Sequence, residues 1–350
     1  MLVLHRVMKN QTMTRCISIL ASILMTCFSP LGCWAQDTSK DVKSAESNQT
    51  NAVQDQFGLD PEQLLVQRVG KTPASVLAIF REAGMSPKPY ELTDDDRQQL
   101  VAAIAILPPL HQAVLQQRLR RISLLNDMPN TALTSEIDST ESYPLFDITI
   151  RAAILKQSAA EWLKEKESSC FDRKESTFSL RVDIGNITAI QYVMLHEATH
   201  IVDAIREITP SISPNSEIAF RASTTPFTLG IWEDARTPVS RYLNEDLMTI
   251  RFRQGGKVTD ASNMKSLYDA LGRTPFVSLY GSSARTEDLA EYLTVYHLTQ
   301  KLHQPFQISV YDGDLEVLVH DPMKSEITRS RFDLMGQFYE STEGEQTSDK

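Results

Sequence analysis

The sequence has little cysteine, no long hydrophobic run and no excess of positive charge. Four cysteines in 350 residues are too few for a fold held together by disulfides. A composition of 41% hydrophobic and 23% charged residues excludes a largely disordered chain, a collagen-like fibre and a protein of many membrane spans. Lysine and arginine number 35 against 45 aspartates and glutamates, a formal net charge of −10. Because a duplex-binding surface needs an excess of basic side chains, this balance argues against a nucleic-acid partner.

The first 35 residues have the pattern of a secretory signal peptide. Basic residues precede a short apolar run at 16–25, and Cys33 and Ala35 are the small residues at positions −3 and −1 of a cleavage site. The run is shorter than the ~20 residues of a bilayer span, which favours cleavage over a retained anchor. We therefore predict an exported protein, periplasmic or secreted, with no membrane span in the mature chain. Residues 1–35 hold three basic and no acidic side chains, so the mature charge is (35 − 3) − 45 = −13.

A lipid anchor at Cys33 is the alternative to a soluble exported protein. Leu31-Gly32-Cys33 would then be the lipidation box, although Pro30 stands where such a box has an aliphatic residue. Cleavage after residue 35 leaves Cys170 as the last cysteine, which excludes an internal disulfide. Nothing beside Cys170 in the sequence supplies the base that a cysteine nucleophile needs, so a half-buried structural thiol is expected.

Composition and periodicity divide the rest of the chain into a flexible linker, a helical N-terminal region, an α+β domain and a disordered tail. The predicted bounds are 36–58, 59–135, 136–340 and 341–350, in that order. The linker and the tail are polar and carry too few large apolar side chains to offset their ordering entropy. Apolar residues recur at helical spacing in the second segment, whereas helical and alternating strand patterns mix in the third.

Three local patterns set further expectations. A first helix is expected to open at Pro61, and a later helical stripe runs from Leu110 to Leu125. Phe178–Ile184 alternates as a half-buried strand does, immediately before the motif described next. Two further strand patterns flank Asp312-Gly313-Asp314, which predicts a hairpin.

One motif carries recognisable chemistry. His196-Glu197-Ala198-Thr199-His200 fits H-E-x-x-H, in a segment whose apolar pattern predicts a helix. Residues four apart stack on one face of a helix, so both imidazoles can reach one metal ion, and Glu197 can face a water beside it. Paired histidines that merely lie on a helix surface are the alternative interpretation.

A catalytic zinc site needs a third protein ligand. Position 206 is Arg206, which excludes the metzincin arrangement of a third histidine six residues after His200. Glu287 and Glu291 lie one turn apart on a second predicted helix, which Ser283 or Thr286 could cap. The spacing alone leaves open which of these two carboxylates would bind the metal.

The two segments together resemble a known enzyme class. Ser278-Leu279-Tyr280 is followed by Glu287-x-x-Ala290-Glu291, downstream of the H-E-x-x-H motif. This combination resembles the gluzincin class of zinc metallopeptidases, and it is most similar to the catalytic domain of anthrax lethal factor and related bacterial proteins. The similarity is local, from the strand before the first motif to the second helix. At Gly281 the sequence departs from these proteins, which tend to carry alanine there.

The resemblance implies a zincin-like metallopeptidase domain with one Zn²⁺ per chain. By this resemblance, the zinc ligands are His196, His200 and Glu287, and the general base is Glu197. Tyr280 would stabilise the oxyanion with its hydroxyl, and Glu291 would orient a ligand histidine. Asp203 follows His200 by three residues on the same helix face, where it either orients that histidine or pairs with Arg206.

The predicted function is that of an exported zinc-dependent peptidase acting on a peptide or protein. The alternative is a non-catalytic zinc-containing binding or scaffold protein of the cell envelope. A third possibility is a latent enzyme whose helical residues 60–126 cover the cleft. An extended substrate is expected to pair with the strand at Phe178–Ile184.

Overall fold

The computed structural model describes residue 52 and residues 54–140, 143–172, 176–210 and 224–340. The chain divides into two compact units, Met1–Asp60 and Pro61–Lys350. In the first unit, residues 54–57 are helical and overlap the end of the predicted linker. The predicted signal peptide with Cys33, most of the linker and the predicted tail lie outside the described residues.

The second unit has an α+β architecture. Its helices are α1 (Ala74–Glu82), α2 (Asp94–Ala105), α3 (Pro109–Arg118), α4 (Ala159–Ser168), α5 (Ala189–Arg206), α6 (Glu245–Met248), α7 (Met264–Leu271), α8 (Arg285–Tyr296) and α9 (Glu326–Arg329). Short 3₁₀ turns cover Leu65–Arg68, Ala152–Lys156, Ser240–Tyr242, Ala261–Asn263, Gly281–Ser283, Pro322–Lys324 and Phe332–Phe338, and a π turn at His297–Lys301 extends α8. The strands are β1 (Lys88–Pro89), β2 (Leu119–Asn126), β3 (Ala132–Thr140), β4 (Tyr143–Arg151), β5 (Phe171–Asp172), β6 (Phe178–Asp183), β7 (Thr259–Asp260), β8 (Gln307–Asp312) and β9 (Leu315–His320).

The larger sheet has the strand order β1-β2-β4-β3. β2 and β4 run parallel, whereas β1 pairs with β2 and β3 pairs with β4 in antiparallel fashion. On one face, Leu133 of β3 packs with Val76 and Phe80 of α1. The other face packs against α5. β3 therefore forms an edge of the sheet beside the helix that carries H-E-x-x-H.

The predicted helical stripe from Leu110 to Leu125 is wrong beyond residue 118. Helix α3 ends at Arg118 and strand β2 follows at once. Most of β2 is buried on both faces because it lies inside the sheet, so its side chains do not alternate between apolar and polar. A continuous apolar run of this kind does not distinguish a strand from a helix.

The N-terminal region differs from its expected form in two other ways. The helix expected to open at Pro61 is a 3₁₀ turn at Leu65–Arg68. The buried guanidinium of Arg68 donates to the carbonyls of Leu115 and Gln116 at 3.0 and 2.8 Å and so caps the end of α3. β3 also runs across the boundary expected between residues 135 and 136, and it pairs with β4 beyond it. The strands on the two sides of that boundary belong to one sheet.

The remaining strands form two small sheets. β6, β8 and β9 make an antiparallel sheet in the order β6-β8-β9, and β5 pairs with β7 in parallel. The predicted hairpin between β8 and β9 is confirmed. Its turn contains Gly313 with a φ of +58°, a backbone conformation that favours glycine.

Helix α5 lies at the centre of the second unit, packed against α2, α3, α4 and α8. It begins with a reciprocal cap, in which the Thr188 hydroxyl accepts from the amide of Gln191 and the Gln191 side chain accepts from the amide of Thr188. It ends at Glu207, whose φ of +50° stops the helix before Pro210. The cap fixes where the helix begins, and with it the position of every side chain that α5 presents.

Removal of this cap is expected to destabilise the fold measurably. Thr188→Ala deletes the side-chain acceptor and should lower the free energy of unfolding by about 1 kcal/mol, the usual value for an N-cap threonine. Thr188→Ser keeps the hydroxyl and is the matched control. Urea denaturation monitored by circular dichroism measures both variants. Equal stability of Thr188→Ala and the wild type would contradict the role of the cap.

Two further expectations concern the cysteine and the membrane. Cys170 is a free thiol with no exposed surface, so it is more deeply buried than the half-buried thiol expected from the sequence. Burial raises the pKa of the thiol far above its ordinary value, so it stays protonated. Among the described residues, no single helix combines the length and apolar character needed to cross a membrane. Helices α2 and α3 together have the length and composition of a span, but their directions differ by 118° at the break between them.

Candidate metal centre

Helices α5 and α8 bring three side chains to one point. Nε2 of His196 lies 3.2 Å from Nε2 of His200 and 3.3 Å from Oε2 of Glu287. The third side of this triangle, from His200 Nε2 to Glu287 Oε2, measures 3.6 Å. Zinc bonds of ~2.0–2.1 Å in tetrahedral geometry separate their ligand atoms by ~3.3 Å. The three donor atoms therefore have the spacing of a set that holds one metal ion.

The carboxylate of Glu287 is the strongest sign that a cation belongs here. Its residue is 3% exposed, and its Oε2 atom is buried without a hydrogen-bond partner among the described residues. The two imidazole nitrogens lie 3.3 and 3.6 Å from this oxygen. A buried carboxylate oxygen without a hydrogen bond is costly, and metal coordination shared with the two imidazoles is one way to compensate it. His196, His200 and Glu287 thus form a group that could bind a metal ion.

The electrostatics of the centre also favour a cation. Burial acts to lower the pKa of His196, but Glu287 and Glu291 outweigh it and raise that pKa to about 9. Burial likewise acts to raise the pKa of Glu287, but the two imidazoles hold it well below its ordinary value. A site that retains a proton so strongly has a negative potential that attracts other positive charges.

Glu291 lies behind His196 rather than at the centre of the triangle. Its Oε1 is 3.0 Å from Nδ1 of His196 and accepts from Nζ of Lys166 at 3.2 Å. Its Oε2 accepts from the hydroxyls of Tyr192 at 2.9 Å and Ser278 at 2.7 Å. Burial acts to raise the pKa of Glu291, yet Lys166 and His196 lower it to about 2. The ionised carboxylate orients the His196 ring so that its Nε2 faces the centre.

Glu197 is placed beside the centre and held there from the sheet. It is half-buried, and its Oε2 accepts a 2.6 Å hydrogen bond from the Thr134 hydroxyl. Thr134 belongs to β3, the edge strand of the larger sheet. Sequence reasoning missed this threonine, because no local pattern connects it with a helix far along the chain.

Tyr280 packs against His196. Its ring centroid lies 5.8 Å from that of His196 and 5.2 Å from that of Phe252. The ammonium of Lys166 stands 3.6 Å from the centroid of the Tyr280 ring. Burial and the charge of Glu287 raise the pKa of Tyr280 well above its ordinary value, so the phenol keeps its proton and can donate. Neither Phe252 nor Lys166 was identified from the sequence.

The segment between Tyr280 and α8 is closely packed. A Cβ atom on Gly281 would lie 3.3 Å from both Glu291 Cβ and Ser278 Oγ, closer than ordinary van der Waals contact. This gives a physical reason for glycine, rather than alanine, at position 281. The expected helix caps are wrong: α8 begins at Arg285 behind Ala284, with no side-chain cap, and its first amide donates to the carbonyl of Ala235.

Asp203 is bonded away from the candidate centre. Both carboxylate oxygens of Asp203 accept from Thr209, through its amide at 2.6 Å and its hydroxyl at 2.7 Å. These bonds tie the end of α5 to the following loop and take the place of the expected bond to His200 or ion pair with Arg206.

The strand predicted before α5 is confirmed as β6, and it lies at an edge of the three-stranded sheet, because it pairs with β8 alone among the described strands. The strand that touches Glu197 is β3.

Comparison with protein-family models, with curated protein sequences and with solved structures finds no match to this chain. The function must therefore be argued from the geometry and chemistry of the centre itself.

Proposed function

We propose that this protein is a zinc-dependent peptidase with a zincin-like fold of the gluzincin type. The observation that carries the proposal is the triangle of His196, His200 and Glu287, whose buried carboxylate oxygen has no hydrogen bond among the described residues, next to Glu197. Two imidazoles and one carboxylate are a donor set of catalytic zinc, which keeps a fourth position open. Calcium and magnesium prefer sites made of oxygen atoms, which argues against them here.

The side chains beside the ligands suit peptide hydrolysis. When bound, zinc supplies a water of lowered pKa and a Lewis acid that polarises a carbonyl group. Glu197 takes a proton from the attacking water and passes it to the leaving amine. The Tyr280 phenol donates a hydrogen bond to the carbonyl oxygen as negative charge develops there.

We propose that the substrate pairs with β3. β3 is bonded to β4 along one side and, among the described strands, has no neighbour along the other. An extended peptide can add to such an edge through main-chain hydrogen bonds. Since Thr134 in this strand touches Glu197, a peptide along the edge would lie beside the general base. This assignment replaces the strand at Phe178–Ile184.

The helical N-terminal region is proposed to support the centre rather than to inhibit it. Strand β2 lies within the larger sheet. Nε2 of His111 on α3 lies 3.0 Å from the hydroxyl oxygen of Thr199 on α5. A protein beginning near residue 136 would lose β2 together with Thr134. This organisation argues against a removable inhibitory segment at residues 60–126. Export to the periplasm or the medium, with or without a lipid at Cys33, remains part of the proposal.

Hydrolysis of a peptide library by the zinc-loaded protein tests the proposed function. New peptide termini, detected by mass spectrometry, are expected with the wild type and not after zinc is removed with a chelator. A zinc-loaded, folded protein that cleaves nothing in the library would favour the non-catalytic binding protein of the cell envelope instead.

The hydrogen bond from Thr134 should contribute measurably to turnover. A bond to a charged group is worth about 1.5–3 kcal/mol, so Thr134→Val is expected to lower kcat by about 10–100-fold. Zinc content should be unchanged, because Thr134 touches no proposed ligand. Thr134→Ser keeps the hydroxyl and should retain most of the activity. If the valine variant turned over like the wild type, the threonine would have no part in placing the base.

A further inference from the structure

Lys166 reaches the candidate centre from a part of the chain that the motifs do not include. Its Nζ lies 3.2 Å from Glu291 Oε1 and 3.6 Å from the centroid of the Tyr280 ring. A second ring, that of Trp162, lies 4.9 Å from the same ammonium. The side chain is 16% exposed and its partner Glu291 is fully buried. This lysine therefore gives up most of its hydration to contact two functional side chains.

The helix that carries Lys166 is anchored at both ends. α4 begins with a reciprocal cap between Ser158 and Glu161. At its other end the buried carboxylate of Glu167 accepts a 2.6 Å hydrogen bond from the Tyr268 hydroxyl. In between, the Trp162 ring packs against Tyr192, with the ring centroids 5.3 Å apart. The packing of α4 therefore fixes the backbone position from which Lys166 reaches the centre.

Lys166 is the cation that faces the Glu291 carboxylate behind His196. In the described part of the chain, Lys166 is the one lysine or arginine that forms a salt bridge with Glu291. Without it, a buried carboxylate would face the ligand histidine with no compensating cation.

We propose that Lys166 is a positioning residue of the metal centre, which compensates the charge of Glu291 behind His196 and holds the ring of Tyr280. The inference rests on the proposed zinc site. Lys166 touches neither the metal triangle nor a reacting atom, and it acts through the two side chains that it contacts. Loss of the ammonium would weaken the hold of Glu291 on Nδ1 of His196, and metal affinity would fall as a result.

Zinc competition titrations against a chelating indicator test this proposal. Lys166→Met keeps an apolar stem and removes the charge, and it is expected to weaken zinc binding by about 10–100-fold. In a Glu291→Gln background the same substitution should have a much smaller effect, because the carboxylate that Lys166 compensates is already gone. Lys164→Met, an exposed lysine of the same helix, is the matched control and should leave the Kd unchanged.

Each other outcome has a definite meaning. If Lys166→Met bound zinc as tightly as the wild type, the role of Lys166 would be refuted and the zinc site would stand. An equal loss with and without Glu291→Gln would refute an action through Glu291. A wild type that bound no zinc would overturn the proposed function instead. Lys166→Arg keeps the charge and should bind zinc nearly as well as the wild type. A folded arginine variant with the full loss would also refute the proposal, even if Lys166→Met did not fold.

Discussion

Replacement of Glu197 by glutamine is expected to reduce peptide hydrolysis by about 10²–10⁴-fold, the usual contribution of a general base. The amide has nearly the shape of the carboxylate but cannot accept a proton at neutral pH. Its oxygen can still accept the hydrogen bond from Thr134, so the side chain should keep its place. Because Glu197 is not among the three converging donor atoms, the variant should retain its zinc.

The experiment compares turnover and zinc content of the same preparations. Glu233→Gln is the matched control, because it makes the same change of charge at an exposed residue outside the candidate centre. A variant with full zinc and little activity supports the peptidase. A variant as active as the wild type would remove Glu197 from the mechanism. If the wild type and Glu197→Gln both hold zinc and both lack activity, a non-catalytic binding protein becomes the better interpretation.

Glu287→Ala is expected to abolish tight zinc binding. It removes the one carboxylate oxygen that lies within 3.6 Å of both histidine Nε2 atoms. The loss of affinity should exceed the ~10–100-fold effect that is typical of partners outside the coordination sphere. Glu291→Gln removes such a partner and is the matched control. Zinc per chain and the Kd, measured on residues 36–350, distinguish the two effects.

The outcomes of the Glu287 experiment are distinct. About one zinc per wild-type chain, with far weaker binding in Glu287→Ala than in Glu291→Gln, supports the three-ligand site. Equal zinc in the wild type and Glu287→Ala would refute Glu287 as the third ligand. No zinc in any of these proteins would refute the zinc peptidase.

Part of the candidate site is predictable because it is local. His196 and His200 lie four residues apart on one helix, so their convergence follows from helical geometry alone. Glu287 and Glu291 lie one turn apart on α8 in the same way. What the spacing left open was which carboxylate faces the centre, since this depends on how α8 packs against α5.

Thr134 and Lys166 could not be predicted, because tertiary packing alone brings them to the site. Neither residue has a local signature: one lies in an edge strand and the other in the last turn of a helix with a solvated face. The same limit applies to strand β2, which is buried on both faces and reads as a helical stripe. The strand that precedes α5 in the chain, at Phe178–Asp183, is an edge strand as predicted, but the hydrogen bond from Thr134 places another edge strand, β3, beside Glu197.

The triangle of donor atoms has a mechanical consequence as well as a chemical one. Its donor atoms come from α5 and α8, two helices from distant parts of the chain, so a bound ion would cross-link these helices. An ion present at 100 times its Kd would add about 2.7 kcal/mol to the stability of the fold. Chelation would remove that cross-link and weaken the packing of α8 against α5. Resistance of the protein to digestion by added proteases should therefore rise and fall with the same ion on which the proposed activity would depend.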